Sequence, residues 1–213
     1  MELIAQLIDI FLHLDNYLGA FLNDYGLWVY ALLFAIIFAE TGFVVTPFLP
    51  GDSLLFVAGT LAAAGGGLEV QWLIPMLIAA SFGGDNTNYW IGHHIGPRVF
   101  RRNGSRLLNH EYLDRTHAFY DRHGGKTILL ARFLPILRTF APFVAGVGRM
   151  PYARFLGFSF AGSVLWIGLF VLAGCFFGHL PVVRKNLTLV MLGIIISILP
   201  GAIAWLRHRF GRG

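Results

Sequence analysis

Long apolar stretches separated by short polar segments run along the chain, and they predict helices embedded in a membrane. Three stretches, 72–95, 153–178 and 187–206, approach the ~20 residues that a helix needs to cross a bilayer. The first of them contains Asp85, Asn86, Asn88 and two histidines, so we expect it to face protein and not lipid. Residues 1–26 carry an apolar stripe at helical spacing that acidic residues interrupt. That pattern favours an amphipathic helix lying at the interface, with a buried packing helix as the alternative.

A fourth apolar stretch, residues 27–65, is interrupted near its middle. Pro47, Pro50 and Gly51 form a turn-forming run there, which breaks helices. The arm that follows is too short to cross the hydrocarbon core at ~1.5 Å per residue. We therefore predict a re-entrant hairpin, in which the chain enters and leaves on the same side of the membrane.

A fifth stretch, residues 127–150, contains Arg132, Pro135, Arg138 and Pro142. As one straight helix it would bury two arginines near the membrane centre, at about 2.5–3.5 kcal/mol each on insertion scales. Irregular backbone is tolerated at that depth only where protein or a wet cavity covers it. This stretch is therefore predicted to be a second re-entrant hairpin.

The two predicted hairpins share sequence. Phe-Leu-Pro at 48–50 recurs at 133–135, and Phe-Val-Ala-Gly at 56–59 recurs at 143–146. Chance similarity of apolar tetrapeptides is the alternative, but the same order in both copies favours an internal repeat. Paired, proline-broken apolar segments in two halves of a chain are typical of transporters, where they build the substrate site.

Composition agrees with a membrane protein, and charge sets its orientation. Hydrophobic residues make up 56% of the chain and charged residues 13%, against about 25% charged in soluble domains. All 16 Lys and Arg residues lie from Arg98 onward. A basic chain can indicate nucleic-acid binding, but no nucleic-acid motif accompanies the charge. We interpret the basic loop 98–126 and the basic C-terminal tail as cytoplasmic.

Two predicted spans lie between the basic loop and the C-terminal tail. An even number of crossings returns the chain to the same side, so the loop and the tail can both be cytoplasmic. The second hairpin then opens to the cytoplasm and the first to the opposite side, which makes the repeats inverted. Arg184 and Lys185, in a short outer loop, count against this topology but are outnumbered. The fold class is thus an all-α polytopic membrane protein with two inverted re-entrant hairpins, about three spans and an N-terminal amphipathic helix.

Five ionisable residues lie inside apolar stretches: Glu40, Asp52, Asp85, Arg132 and Arg138. Each needs a partner, a proton or a water-filled cavity. One interpretation is structural, with buried ion pairs that hold the hairpins together. The other is an anion site, because Arg binds phosphate through two parallel hydrogen bonds and a buried carboxyl group can exchange protons. We expect the two arginines to bind a phosphate and the three acids to pair with them or carry protons.

Other chemistry is less well supported. No cofactor or metal site is predicted, since the loop histidines and acids suit a solvated helical face better and Cys175 is the single cysteine. No nucleophile motif is present, so we expect no enzyme activity. A lipid-phosphate-processing membrane enzyme, a proton or ion antiporter and a membrane scaffold remain alternatives. The sequence is also compatible with a homo-oligomer.

Three long motifs carry a family resemblance. They are Glu40-Thr-Gly-Phe-Val-Val-Thr-Pro-Phe-Leu-Pro-Gly-Asp-Ser, then Gly84-Asp85-x-x-x-Tyr89-x-x-Gly92, then the run 124–146. Together they resemble the DedA family over nearly the whole chain. That family shares the VTT, or SNARE-associated Golgi protein, domain with eukaryotic lipid scramblases.

The resemblance implies a protein of the bacterial inner membrane that transports lipid. Some members return undecaprenyl phosphate across the membrane, and the family is associated with the proton motive force. Its important acids and arginines correspond to Glu40, Asp52, Arg132 and Arg138. His93 stands where the family pattern often has a basic residue, which leaves the role of that position open.

Overall fold

The computed structural model describes residues 14–43, 51–65, 67–100 and 125–177. These residues form seven α-helices and no strand. The helices are α1 (Leu14–Tyr25), α2 (Trp28–Gly42), α3 (Gly51–Ala63), α4 (Val70–Phe100), α5 (Lys126–Ala131), α6 (Pro135–Val147) and α7 (Tyr152–Phe177). The all-helical fold class predicted from the sequence is confirmed for this part of the chain.

Among the described helices, α7 is the one that is both long and apolar enough to cross a membrane. Its 26 residues extend about 39 Å, against a hydrocarbon core of ~30 Å. It coincides with the predicted span 153–178. Large apolar side chains project from it into solvent-accessible space, among them Phe160, Leu165 and Phe176.

Helix α4 is longer, with 31 residues, and contains the predicted span 72–95. It continues to Phe100, so the start of the region predicted as the loop 98–126 is helical. The rest of that loop up to residue 124, the predicted span 187–206 and the first 13 residues of the predicted amphipathic helix lie outside the described residues.

Both stretches predicted as hairpins consist of two helices with an interruption between them. Helix α2 ends at Gly42, where Phe43 turns to extended backbone (φ −119°, ψ 125°), and α3 begins at Gly51. Pro47 and Pro50 fall between these helices, outside the described residues.

The second interruption has a visible cause. Helix α5 ends at Ala131, and Leu134 is extended (φ −113°, ψ 111°) before α6 begins at Pro135. A residue that precedes proline is disfavoured in helical conformation, whereas proline suits the first position of a helix. Inside α6, Pro142 has no N–H and therefore cannot make the helical hydrogen bond to the carbonyl of Arg138.

The chain divides into two compact units. The larger unit consists of Leu27–Gly51 and Glu69–Leu169, and the smaller unit of Met1–Gly26, Asp52–Leu68 and Phe170–Gly213. In the larger unit, α4 packs against both α2 and α6.

Glycines allow close helix crossings within each unit. In the larger unit, a Cβ atom on Gly146 of α6 would overlap the carbonyl oxygen of Tyr89 on α4, and one on Gly92 would overlap that of Phe143. Small residues at such positions let membrane helices approach closely.

The smaller unit contains the same kind of crossing between α3 and the end of α7. A Cβ atom on Gly59 would overlap the carbonyl oxygen of Val171, and one on Gly174 would overlap that of Phe56. The last glycine of each Phe-Val-Ala-Gly copy, Gly59 or Gly146, thus has the same packing role. The internal repeat itself stays a prediction from the sequence, and the shared contact of these two glycines is compatible with it.

Candidate functional site

Helix α4 carries three polar residues on one face. Ser81, Asp85 and Asn88 follow one another at spacings of four and three, which brings them to the same side of a helix. All three are buried. The face of α4 turned towards the protein is therefore polar in its middle section.

Helix α7 repeats this arrangement with Ser159, Ser163 and Trp166. The spacing is again four and three residues, and all three side chains are buried. Ser163 donates a hydrogen bond to the main-chain oxygen of Ser159 (2.9 Å), a local bond that satisfies a hydroxyl inside a helix.

Arg132 lies at the interruption between α5 and α6 and connects these two faces. Its guanidinium forms an ion pair with Asp85 and donates from Nη1 to Ser81 Oγ (2.5 Å). Ser159 Oγ donates to the same Asp85 oxygen, Oδ2 (2.6 Å), and the Ser81 and Ser163 hydroxyl oxygens are 3.4 Å apart. Hydrogen-bond partners on α4 therefore fix the orientation of Arg132, and serine hydroxyls on α7 contact those partners in turn.

Arg138, in the first turns of α6, forms an ion pair with Glu40 near the end of α2. Glu40 is 0% exposed and Arg138 is 6% exposed, so the pair is shielded from solvent. The Glu40 carboxylate packs against the backbone of Gly51, where a Cβ atom would overlap it. This ion pair thus links the stretch predicted as the first hairpin to the stretch predicted as the second.

Trp166 contacts both arginines. Its ring centroid lies 4.8 Å from Cζ of Arg138 and 5.8 Å from Cζ of Arg132. Both distances are within the ~6 Å range of cation–π attraction. One indole therefore helps to hold two guanidinium groups in a single buried cluster.

Asn88 connects the backbones next to the Glu40–Arg138 pair. Its Nδ2 donates to the carbonyl oxygens of Thr41 on α2 (3.1 Å) and Thr139 on α6 (2.7 Å). Asn88 is 0% exposed.

Four of the five ionisable residues singled out in the sequence meet in this cluster, as the pairs Glu40–Arg138 and Asp85–Arg132. The fifth, Asp52, is half-buried in the first turn of α3 and belongs to the smaller unit.

Sequence reasoning named Asn88 as a residue of a protein-facing span, but it did not single out the other neutral members of the cluster. These are Ser81, Ser159, Ser163 and Trp166. A signal for them exists, since two apolar helices carry polar or indole side chains at the same four-and-three spacing. Serine is common in membrane helices, however, and the pattern gains meaning only when the two faces are known to meet.

Within the described residues, no group of three or more His, Cys, Asp or Glu side chains is arranged to hold a metal ion. The histidines of the predicted basic loop, His110, His117 and His123, lie outside those residues.

Comparison with known proteins places the chain among membrane proteins. The model of the VTT domain matches residues 49–176. Protein DedA of Escherichia coli strain K12 is 53% identical over 211 residues, which cover 98% of this chain and 96% of that protein.

More distant relatives extend the match. An uncharacterized membrane protein of Mycobacterium leprae is 45% identical over 176 residues, which cover 82% of this chain and 78% of that protein. The inner membrane protein YqjA of Escherichia coli strain K12 is 33% identical over 185 residues, covering 87% and 83%. No solved structure matches the chain.

Proposed function

Since the chain belongs to the DedA family of bacterial inner-membrane proteins, we propose that it moves a lipid phosphate across that membrane in a proton-linked cycle. The observation that carries this proposal is the buried cluster in which Arg132 and Arg138 share Trp166 and each binds a carboxylate. A buried charge in a membrane protein commonly marks a substrate or ion pathway.

Carboxylates in the cluster occupy places suited to phosphate oxygens. A phosphate accepts the same charge-assisted hydrogen bonds from guanidinium groups as a carboxylate does. In this proposal the lipid phosphate displaces Glu40 from Arg138, and the serine hydroxyls near Arg132 supply further donors. Arginine suits this task better than lysine because its planar group can make two parallel hydrogen bonds.

Proton linkage follows from the displaced carboxylate. A carboxylate that loses its arginine while still buried is costly as an anion, so it takes up a proton. Glu40 is the proposed proton carrier, Asp85 is a charge partner of Arg132, and Asp52 is a charge-pairing residue at the start of α3, where an anion is favoured.

The proposed topology keeps the two interrupted stretches as re-entrant hairpins of opposite orientation. The C-terminus is cytoplasmic and the spans include 187–206. The substrate is a polyprenyl phosphate, such as undecaprenyl phosphate, or a phospholipid. The lipid leaves chemically unchanged, and no cofactor takes part.

Reconstitution into liposomes tests the proposal. We expect purified protein to exchange a fluorescent polyprenyl phosphate between leaflets, but not the corresponding polyprenol, and to do so faster when a proton gradient is imposed. Arg132→Ala and Arg138→Ala should each lower the rate at least tenfold, because ~1.4 kcal/mol of lost binding is already tenfold. Arg138→Lys should restore little of it.

The matched control is Arg154→Ala, since Arg154 is exposed at the start of α7 and should transport normally. Equal exchange by the wild type and both cluster variants, at equal reconstituted amounts, would rule out the arginine site. Release of inorganic phosphate would instead identify a lipid-phosphate-processing enzyme. A proton flux that needs no lipid would identify an antiporter.

A further inference from the structure

The Asn88 amide meets the backbone at two points, each directly beside a member of an ion pair. Its Nδ2 donates to the carbonyl of Thr41, the neighbour of Glu40, and to the carbonyl of Thr139, the neighbour of Arg138. Helix α2 ends at Gly42, so the Thr41 carbonyl belongs to the last turn, where carbonyl groups lack helical donors. One amide group thus joins the two elements that bear the ion pair.

The other end of the Asn88 amide identifies what the residue contributes. Among the described residues, Oδ1 has no hydrogen-bond partner although it is buried. If the amide were flipped, Oδ1 would face two carbonyl oxygens and the acceptors would repel one another. The amide orientation with Nδ2 towards these carbonyls is therefore the favourable one. A buried oxygen without a donor is unfavourable, and an apolar residue would fill the same space without that cost. The contribution of Asn88 therefore lies in its two N–H donors.

We infer that Asn88 is a positioning residue, which holds the backbones of α2 and α6 in the register that lets Glu40 and Arg138 meet. This inference deepens the proposed function, because it concerns the arginine that would take the lipid phosphate. Asn88 acts through the ion pair, since its amide donates to the main-chain oxygens of Thr41 and Thr139 and not to the paired side chains.

Helix α4 provides a matched control. Asn86 lies two residues away, is half-buried, and uses its amide to donate to Phe82 within the same helix and to accept from Tyr152. It touches neither α2 nor α6 in these bonds. Asn86→Ala removes the same side chain from the same helix without affecting the ion pair.

The first experiment measures binding of farnesyl phosphate, with farnesol as the uncharged control, from the stabilisation of purified protein against heat. We expect Asn88→Ala to raise the half-saturating concentration about tenfold, the effect of ~1.4 kcal/mol, and Asn86→Ala to leave it unchanged. Asn88→Asp should bind as poorly as Asn88→Ala at alkaline pH, because an ionised carboxylate has no donor. At mildly acidic pH it should recover, because a protonated carboxyl group donates one hydrogen bond again.

The acid-dependent recovery is a result that loss of packing alone would not produce, since Ala and Asp would then respond to pH alike. Equal affinity of Asn88→Ala and Asn86→Ala would overturn the inference. If Asn88→Asp binds farnesyl phosphate as weakly as Asn88→Ala at both pH values, the inference is overturned as well.

The second experiment needs no ligand and so stands apart from the proposed function. Thermal unfolding midpoints are compared for Glu40→Gln, Asn88→Ala and the double variant. We expect the double variant Glu40→Gln/Asn88→Ala to lose less thermal stability than the sum of the two single variants. The reason is that Asn88 stabilises the ion pair, and Glu40→Gln has already removed that pair. Glu40→Gln combined with Asn86→Ala should instead be additive. Additive losses at Asn88 would refute the positioning role. A wild type that does not bind farnesyl phosphate would contradict a polyprenyl-phosphate substrate while leaving this second comparison decisive for Asn88.

Discussion

At the scale of single residues, the two buried carboxylates have different surroundings. Asp85 accepts hydrogen bonds from both Arg132 and Ser159, so neighbours on two elements hold it. Glu40 lies at the end of α2 against the backbone of Gly51, beside the interruption. Removing one partner of a buried ion pair typically costs about 3–5 kcal/mol. The proposed cycle therefore assigns the exchange of partners to Glu40, which lies where the neighbouring backbone leaves its helix.

Glu40→Gln should separate binding from proton linkage. Glutamine has the shape of a protonated glutamate but cannot release a proton. We expect the variant to bind polyprenyl phosphate and to transport at a rate that no longer varies with pH. The measurement is leaflet exchange in liposomes across the neutral range, for wild type and variant. A wild-type pH profile in Glu40→Gln would make Glu40 a structural partner of Arg138 instead.

A glycine substitution at the same place supplies a test that leaves Glu40 itself unchanged. A methyl group in Gly51→Ala needs the volume that the Glu40 carboxylate occupies, so that carboxylate must move. Gly51→Ala should therefore reduce transport, as displacement of Glu40 would. Gly157→Ala is the control, since a Cβ atom there meets nothing within 4 Å.

The charged residues of the site were predictable from sequence, but their partners were not. Glu40, Asp85, Arg132 and Arg138 are conspicuous because a charge in an apolar stretch is costly wherever the chain goes. Glu40 and Arg138 are separated by 98 positions, and their pairing depends on how α2 and α6 pack. Asn88 was expected to face protein, but its contacts were not predictable for a related reason, because they are two main-chain carbonyls on other helices.

At the scale of elements, glycines decide how closely helices cross. The interruption before α6 was predictable because Pro135 acts on its own neighbours. The close contacts of Gly92 and Gly146 were not, because a glycine reveals its purpose only with the backbone that faces it. The extension of α4 to Phe100 was likewise missed, since a polar, basic sequence was interpreted as a loop.

Alanine at the crossing glycines should destabilise the protein. A methyl group on Gly146 would meet the carbonyl of Tyr89, and the helices must separate to admit it. We expect Gly146→Ala to lower stability by about 1–3 kcal/mol, the usual effect of overpacking, measured as a lower thermal midpoint in detergent. Its repeat counterpart Gly59→Ala should behave alike.

The control for this prediction is Gly168→Ala, because a Cβ atom at Gly168 meets nothing within 4 Å. Its thermal midpoint should match the wild type or rise slightly, as alanine favours helix. Equal thermal midpoints for Gly146→Ala and Gly168→Ala would contradict the prediction, because they would mean that the contact between α4 and α6 has room for a methyl group.

At the scale of the whole molecule, the proposed opposite orientation of the two interrupted stretches is open to direct test. Single cysteines at Ser53 and Leu137, in the first turns of α3 and α6, would be introduced into a Cys175→Ser background. We expect a membrane-impermeant thiol reagent to reach position 53 from outside the cell and position 137 from the cytoplasmic face of inverted vesicles. A membrane-permeant reagent controls for reactivity. Labelling of both positions from one side alone would contradict inverted hairpins.

The net charge of the buried cluster determines how strongly the membrane potential can act on it. The buried charged residues in the described part of the chain are Glu40, Asp85, Arg132 and Arg138, two of each sign. A unit charge moved through the full membrane potential involves ~2.3 kcal/mol per 100 mV, whereas a neutral group of four involves none. In the proposed transport cycle, the unloaded cluster would therefore change its exposure from one face to the other without a contribution from the voltage. Any voltage dependence of the cycle must then arise in the loaded step, from the charge on the lipid and the protons that accompany it.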